Sequence, residues 1–176
     1  MPAVSDAGPL IHLAQIGTLL LLKQIFGKVT IVRSVKHEVV DLGIRLGYRD
    51  APLIREALAA GYIIVKRPSP RLTKRARKLA ENENLSMSDS ETLLLAKMLA
   101  QPLLTDEKPL SMLGRMYGLE LWNTWTILLE GLRGGFVTKA EIRAAVKELG
   151  EMKHKLSPER AREVLEAADR IASGDM

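Results

Sequence analysis

Four acidic residues lie at or near the junctions of predicted strands and helices. They are Asp6, Glu38, Asp89 and Asp106. Asp6 and Asp106 each follow a short apolar run that predicts a strand, and Asp89 lies at the predicted start of a helix. In an open parallel α/β sheet, functional groups gather beyond the carboxyl ends of the strands. We therefore expect these carboxylates to converge at one edge of the sheet.

A cluster of carboxylates predicts a bound cation. Carboxylates within a few ångströms repel one another and raise one another's pKa values unless a positive charge compensates. The chain has no cysteine and only three histidines, which excludes disulfides, thiolate zinc sites and thiol nucleophiles. Oxygen ligands remain, and these favour Mg²⁺ or Mn²⁺.

Each acid taken alone also has a structural explanation. Asp6 and Asp106 could be helix caps, and Asp89 could be a favourable charge at a helix N-terminus. Glu38 could be a solvated residue on a helix. The residue types alone leave both interpretations open.

Two further acids lie close to these in the sequence. Glu91 follows Ser88 at the spacing of a reciprocal capping box, which predicts a helix cap rather than a metal ligand. Glu107 is either an auxiliary acid beside Asp106 or a residue in the first turn of the next helix.

Short strands are predicted to alternate with helices along the chain. The strand-like runs lie at residues 4–5, 29–32, 62–65, 103–105 and 119–122. Amphipathic patterns between these runs, and after the last one, predict helices. This alternation indicates the α/β class, with a mainly parallel central sheet flanked by helices.

The helix that carries Glu38 is predicted to begin at a Ser34 cap. Its apolar stripe consists of Val35, Val39 and Leu42. At about 100° per residue, Glu38 lies about 60° from Val35, on the margin of this stripe. An acid at the edge of a buried face needs a partner, which supports a role in the cluster.

A strongly basic segment follows the third predicted strand. Its cations are Arg71, Lys74, Arg75, Arg77 and Lys78. Together with a formal net charge of +5, they favour a polyanionic partner, and we predict that they guide an RNA backbone. The alternative is a charged helix face that is simply solvated. His12 and His37 are predicted to be ordinary helix residues, because no nucleophile accompanies them.

The length and composition indicate one domain. With 176 residues and no linker or repeat, residues 1–176 are predicted to fold as a single unit. Only 4% of residues are aromatic, so aliphatic side chains such as Leu10, Leu13, Leu19 and Leu22 must build the core. No signal peptide or membrane span is expected, which predicts a cytoplasmic protein without a membrane partner.

Four segments resemble the motifs of the PIN-domain nucleases and appear in the same order. They are Val4-Ser5-Asp6-Ala7-Gly8-Pro9-Leu10-Ile11, Val35-Lys36-His37-Glu38-Val39, Ser88-Asp89-Ser90-Glu91-Thr92 and Leu103-Leu104-Thr105-Asp106-Glu107. The chain resembles in particular the short prokaryotic branch of VapC-like toxins and their uncharacterised relatives. From Phe136 onward it is similar to the uncharacterised relatives, so residues 136–176 are predicted to form a C-terminal helical extension.

The resemblance implies a three-layer PIN-like fold and a Mg²⁺- or Mn²⁺-dependent endoribonuclease that hydrolyses phosphodiester bonds in RNA. It places Asp6, Glu38, Asp89 and Asp106 at the four acidic positions of the family, with the three aspartates as metal ligands. It also implies the toxin of a toxin–antitoxin pair as one role, with an antitoxin as partner and a homodimeric state. Many relatives carry Ser or Thr soon after the first aspartate, where this chain has Ala7-Gly8.

Other protein classes fit the sequence less well. A PIN-fold module that binds nucleic acid or protein without turnover is the main alternative. An aspartyl-phosphate enzyme or receiver domain would need a second acid near Asp6, which is absent from Asp6-Ala7-Gly8. No G-x-G-x-x-G follows the first strand, which excludes a dinucleotide-binding fold.

Overall fold

The central sheet consists of five short parallel strands. The computed structural model describes residues 1–151 and 157–174. The strands are β1 (Ala3–Ser5), β2 (Val29–Val32), β3 (Ile63–Lys66), β4 (Leu103–Leu104) and β5 (Leu121–Trp122). Their order is β3-β2-β1-β4-β5, with every neighbouring pair parallel. The order reverses between β1 and β4, so the crevice of the sheet lies beyond the ends of these two strands.

Ten helices flank the sheet within the described ranges. They are α1 (Ala7–Gln15), α2 (Leu21–Phe26), α3 (residues 33–45), α4 (Asp50–Ala59), α5 (Pro70–Glu83), α6 (Met87–Leu99), α7 (Lys108–Met116), α8 (Thr124–Arg133), α9 (Lys139–Glu151) and α10 (Pro158–Ser173). The predicted three-layer α/β fold is confirmed, and the described strands are all parallel rather than mainly so.

Helix α3 is not a uniform α-helix. It comprises an α-helical turn (Arg33–Lys36), a π-helical stretch (His37–Leu42) and a last turn (Gly43–Arg45). The wider π turn changes the angular spacing of side chains, so the α-helical angle assumed for Glu38 in the sequence does not hold. Such π-helical segments are rare and are frequent at functional sites.

Aliphatic side chains fill the core, as the composition predicts. Leu10 and Leu13 of α1, Leu103 of β4 and Ile127 of α8 are fully buried and belong to one hydrophobic cluster. The C-terminal helices join the same cluster through buried residues of α9 and α10. In the described part of the chain, no helix combines the length and the hydropathy that crossing a membrane requires.

The start of α6 differs from the prediction. The helix begins at Met87, and the Ser86 hydroxyl accepts the N–H of Asp89 at 2.9 Å. Ser86 is therefore the N-cap, and the predicted cap at Ser88 is wrong. Asp89 is consequently the third residue of the helix rather than its first.

The capping interpretation of Glu91 is also wrong. Glu91 is buried, and its carboxylate accepts hydrogen bonds from Ser34 at 3.1 Å and from Thr73 at 3.3 Å. Ser34 is thus occupied by Glu91 and does not cap α3, which begins one residue earlier at Arg33 without a side-chain cap. The Glu91 carboxylate therefore links α3, α5 and α6. Its hydrogen bonds to these two helices replace the local cap that the sequence predicted.

Candidate active site

Asp6 leaves the end of β1 and caps α1. Its Oδ1 accepts the N–H of Gly8 at 3.0 Å, and the Thr105 hydroxyl donates to its Oδ2. The side chain is only 2% exposed. Burial raises the pKa of Asp6 well above its ordinary value; the Thr105 hydrogen bond opposes this rise, and the charges of Asp106 and Asp89 add to it. Asp6 is therefore a helix cap whose ionised form is disfavoured by burial and by the neighbouring carboxylates.

Asp106 follows β4 and lies beside Asp6. Register explains this, since Val4 pairs with Leu103 and Ser5 with Leu104. Gly8 lies between the two carboxylates. A Cβ atom at Gly8 would be 3.3 Å from Asp106 Oδ2 and 3.5 Å from Asp6 Oδ1, so only a residue without a side chain fits here comfortably.

The Asp106 carboxylate is held by donors from two helices. Oδ2 lies 2.7 Å from His12 Nδ1 and accepts the Thr124 hydroxyl at 2.6 Å, while Oδ1 accepts the Thr124 N–H at 2.8 Å. Burial alone would raise the pKa of Asp106, but the hydrogen bonds from His12 and Thr124 outweigh it and lower that pKa. Asp106 is therefore fixed in its ionised form.

A pocket of about 330 Å³ opens in front of Asp6. Four carboxylates line it: Asp6, Glu38, Asp89 and Glu107. Glu107 thus faces the pocket itself, whereas Asp106 lies in the wall beside Asp6 and Gly8. The structure brings three of the four predicted acids to the pocket surface and the fourth next to it.

Glu38 reaches the pocket from the π-helical part of α3. Loss of hydration, followed by the charges of Asp89 and Glu107, raises the pKa of Glu38. Charge–charge repulsion therefore acts among acids at the start of α1, on α3, on α6 and in the segment after β4. A cation in the pocket would reduce this repulsion.

The first turn of α6 forms one wall of the pocket. Ser86, Ser88 and Asp89 all line it. The Ser88 hydroxyl oxygen is buried and has no hydrogen-bond partner among the described residues. A free donor at a helix N-terminus suits an anionic oxygen such as that of a phosphate.

His12 and Thr124 are site residues that the sequence did not reveal. His12 was predicted to be an ordinary helix residue, yet it lines the pocket and contacts Asp106. Its partner lies 94 positions away, and Thr124 lies further along the chain, so no local pattern connects them. Thr105 and Thr124 place hydroxyl groups beside the two aspartates, although Ala7-Gly8 carries none.

The five predicted RNA-binding cations are all exposed on α5, but only two of them line the groove beside the start of this helix. Lys74 and Arg77 line a groove beside the start of α5. Arg71, Arg75 and Lys78 line no part of that groove. Two of the five predicted cations therefore lie at this groove and three lie outside it.

Comparison with known proteins agrees with the fold. A family model described as a PIN domain matches residues 2–170. A search of curated proteins found no match. PIN domains have a nuclease-type fold, are generally hydrolases and typically use divalent metals. Because the match covers nearly the whole chain, this protein belongs to the PIN-domain family.

Proposed function

We propose that the chain is an endoribonuclease that uses Mg²⁺ or Mn²⁺ to hydrolyse phosphodiester bonds in RNA. The observation that carries this proposal is the convergence of Asp6, Glu38, Asp89 and Glu107 on one pocket, with Asp106 beside Asp6. The pocket lies at the switch point of the sheet, between β1 and β4, where parallel α/β folds place their ligands.

The pocket chemistry fits a hard divalent cation. Its acidic donors are carboxylate oxygens, and burial, with repulsion from neighbouring acids as a smaller cause, raises the pKa values of Asp6 and Glu38. Across residues 1–151 and 157–174, no three acidic or histidine side chains lie close enough together to hold a metal ion between them. This spacing suits Mg²⁺, which keeps several of its waters and takes few direct protein ligands.

The residues of the pocket divide the chemical work. Asp6 and Asp89 would hold the cation, and Asp106, fixed by His12 and Thr124, would contribute its negative charge from beside Asp6. Glu38 and Glu107 would accept hydrogen bonds from the attacking water and orient it. When bound, a divalent cation lowers the pKa of a water and neutralises charge on the phosphate oxygens.

The substrate phosphate would contact the wall formed by the first turn of α6. The unpartnered Ser88 hydroxyl can donate to a phosphate oxygen, and the N-terminal turn of α6 favours the negative charge. Proximity and orientation of the phosphate are themselves large contributions to the rate, because they replace an encounter in solution.

The direct test is cleavage of an end-labelled single-stranded RNA by the purified protein. Cleavage should require Mg²⁺ or Mn²⁺, stop on addition of chelator, and be lost in Asp6→Asn while circular dichroism shows an intact fold. Asp50→Asn is the matched control, because Asp50 is a buried aspartate that does not line the pocket. Undiminished cleavage by Asp6→Asn would overturn the proposal, and metal-dependent RNA binding without cleavage would support the binding module instead.

Two finer roles stay predictions of the resemblance. As the toxin of a toxin–antitoxin pair, the protein would arrest growth on expression, and co-expression of an antitoxin encoded beside it would relieve the arrest. The predicted homodimer would appear in light scattering as twice the mass of the 176-residue chain. Both experiments leave the ribonuclease proposal itself independent of their outcome.

A further inference from the structure

Two adjoining pockets form one continuous groove beside the carboxylate pocket. The pockets share Arg67, Pro68 and Thr73, which join them into a single channel. We call this channel the basic groove and define it by its six basic residues: Arg33, Lys36, His37, Arg67, Lys74 and Arg77. These residues come from α3, the segment after β3, and α5, so the fold brings together cations that are distant in sequence.

Four of the six basic residues of the basic groove are available to a ligand, and the other two, Lys36 and His37, pair with Asp41. Arg33, Arg67, Lys74 and Arg77 are exposed and form no ion pair within the described ranges. The groove also contains two acids, but both are occupied by other partners. Asp41 pairs with Lys36 and His37, and Glu91 accepts the hydroxyls of Ser34 and Thr73. The net charge of the groove is therefore positive.

The groove adjoins the site of the proposed chemistry. His37 lines the basic groove and the next residue, Glu38, lines the carboxylate pocket. Similarly, Glu91 lies at the groove and Asp89, two residues earlier on α6, lies at the pocket. Helices α3 and α6 therefore contribute walls to both sites, and we expect a strand with one phosphate in the pocket to continue towards these cations.

The side chains that line the basic groove indicate which part of a nucleic-acid strand it would contact. None of the residues that line the two pockets of the groove is Phe, Tyr or Trp. Proteins that hold single strands by their bases stack them on aromatic rings, whereas arginine and lysine contact phosphates. We infer that the basic groove binds the phosphodiester backbone of the RNA strand that is cleaved, without reading its bases. The choice of RNA rests on the proposed function.

Helix α5 provides an internal control for this inference. Lys74 and Arg77 are three residues apart and share the face that lines the groove with Thr73. Arg71, Arg75 and Lys78 follow one another at spacings of four and three residues on the same helix, and none of them lines either pocket of the groove. One helix therefore carries similar charge inside the groove and outside it.

The test compares two triple variants that remove the same charge. The groove variant is Arg67→Gln, Lys74→Gln, Arg77→Gln, and the control variant is Arg71→Gln, Arg75→Gln, Lys78→Gln. Fluorescence anisotropy with labelled single-stranded RNA in the presence of chelator measures binding without cleavage. We expect affinity to fall roughly tenfold or more in the groove variant and less than about threefold in the control. In the groove variant, the magnitude of the slope of log K against log salt should decrease by about 2. Each phosphate contact to a single strand contributes roughly 0.7, and three contacts are lost.

The outcomes separate this inference from the proposed function. Equal loss of affinity in both variants, or no loss in either, would overturn the inference that the basic groove binds the RNA backbone. If wild-type protein cleaves RNA and the groove variant cleaves it with the same KM, the groove inference fails and the ribonuclease proposal stands. If the groove variant alone loses affinity but wild-type protein does not cleave, the groove stands and the ribonuclease fails. Unfolding temperatures of both variants confirm that these exposed substitutions leave the fold intact.

Discussion

The imidazole of His12 and the carboxylate of Asp106 meet across 94 positions of sequence, with Nδ1 lying 2.7 Å from Oδ2. The same carboxylate oxygen accepts the hydroxyl of Thr124 at 2.6 Å. Asp106 thereby keeps one orientation beside Asp6, and its pKa is lowered although burial acts in the opposite direction. His12 and Thr124 are positioning residues, because they act on the proposed chemistry through Asp106.

Replacing His12 should weaken catalysis by loosening Asp106. We expect His12→Ala to lower kcat or metal affinity by about 10- to 100-fold, the usual effect of removing a hydrogen-bond partner of the groups around a metal site. Loss of one hydrogen bond to a largely buried carboxylate should also lower the free energy of unfolding by about 1–3 kcal/mol. His12→Asn keeps a donor near the Nδ1 position and should recover part of both losses. Steady-state cleavage rates over a Mg²⁺ titration measure the effect, and wild-type rates in His12→Ala would contradict the assigned role.

Removing the charge of Asp6 should stabilise the metal-free protein at neutral pH. Burial raises the pKa of Asp6. The Thr105 hydrogen bond opposes this rise in pKa, and the charges of Asp106 and Asp89 add to the rise. The unfolded chain therefore loses this proton at lower pH than the folded protein does. Stability consequently falls as pH rises from the ordinary value of 3.8 towards the raised pKa. Asp6→Asn carries no such penalty, so its advantage over wild type should grow across this interval.

Urea unfolding of both proteins in chelator, at pH values from about 4 to about 8, measures this difference. A difference that does not change with pH would refute the electrostatic explanation. Adding Mg²⁺ or Mn²⁺ provides the complementary measurement. A cation at about 100 times its Kd should stabilise wild type by about 2.7 kcal/mol and Asp6→Asn by much less.

Local sequence signals were sufficient to predict most of the fold. The β2 strand is a run of β-branched residues, and it follows Gly27, which has a φ of +72° and ends α2. The order of the elements then follows from the alternation of strands and helices. The π-helical stretch His37–Leu42 was not predictable, because apolar residues at helical spacing suit an α-helix and a π-helix alike.

The site was predictable only in part, for a related reason. Asp6 and Asp106 follow strands, and the register of β1 with β4 brings the ends of such strands together. The cap predicted at Ser88 failed because Ser34 and Thr73 bind Glu91 from other helices, and the structure uses Ser86 as the cap instead. Competition of this kind depends on tertiary contacts, which a local pattern does not contain.

Close packing of α3 against α4 should make Gly43 irreplaceable. A Cβ atom at Gly43 would lie 2.7 Å from the Cβ of Ala51, well inside contact distance, and 3.8 Å from the Glu38 carbonyl oxygen. Gly43 has an ordinary helical φ of −59°, so helix propensity alone predicts that alanine stabilises the protein. We expect Gly43→Ala to destabilise it instead, because the overpacking costs about 1–3 kcal/mol.

Gly150 in α9 is the matched control for this prediction. A Cβ atom there would meet no atom of the described residues within 4 Å, so Gly150→Ala should stabilise the protein by up to about 1 kcal/mol. Thermal unfolding should therefore shift in opposite directions, by about 2–4 °C for each kcal/mol. Gly43→Ala should also reduce cleavage, because relief of the clash displaces the part of α3 that carries Glu38. Stabilisation by both substitutions would show that α3 can move away from α4 at no cost, and that Glu38 is not held in place by this contact.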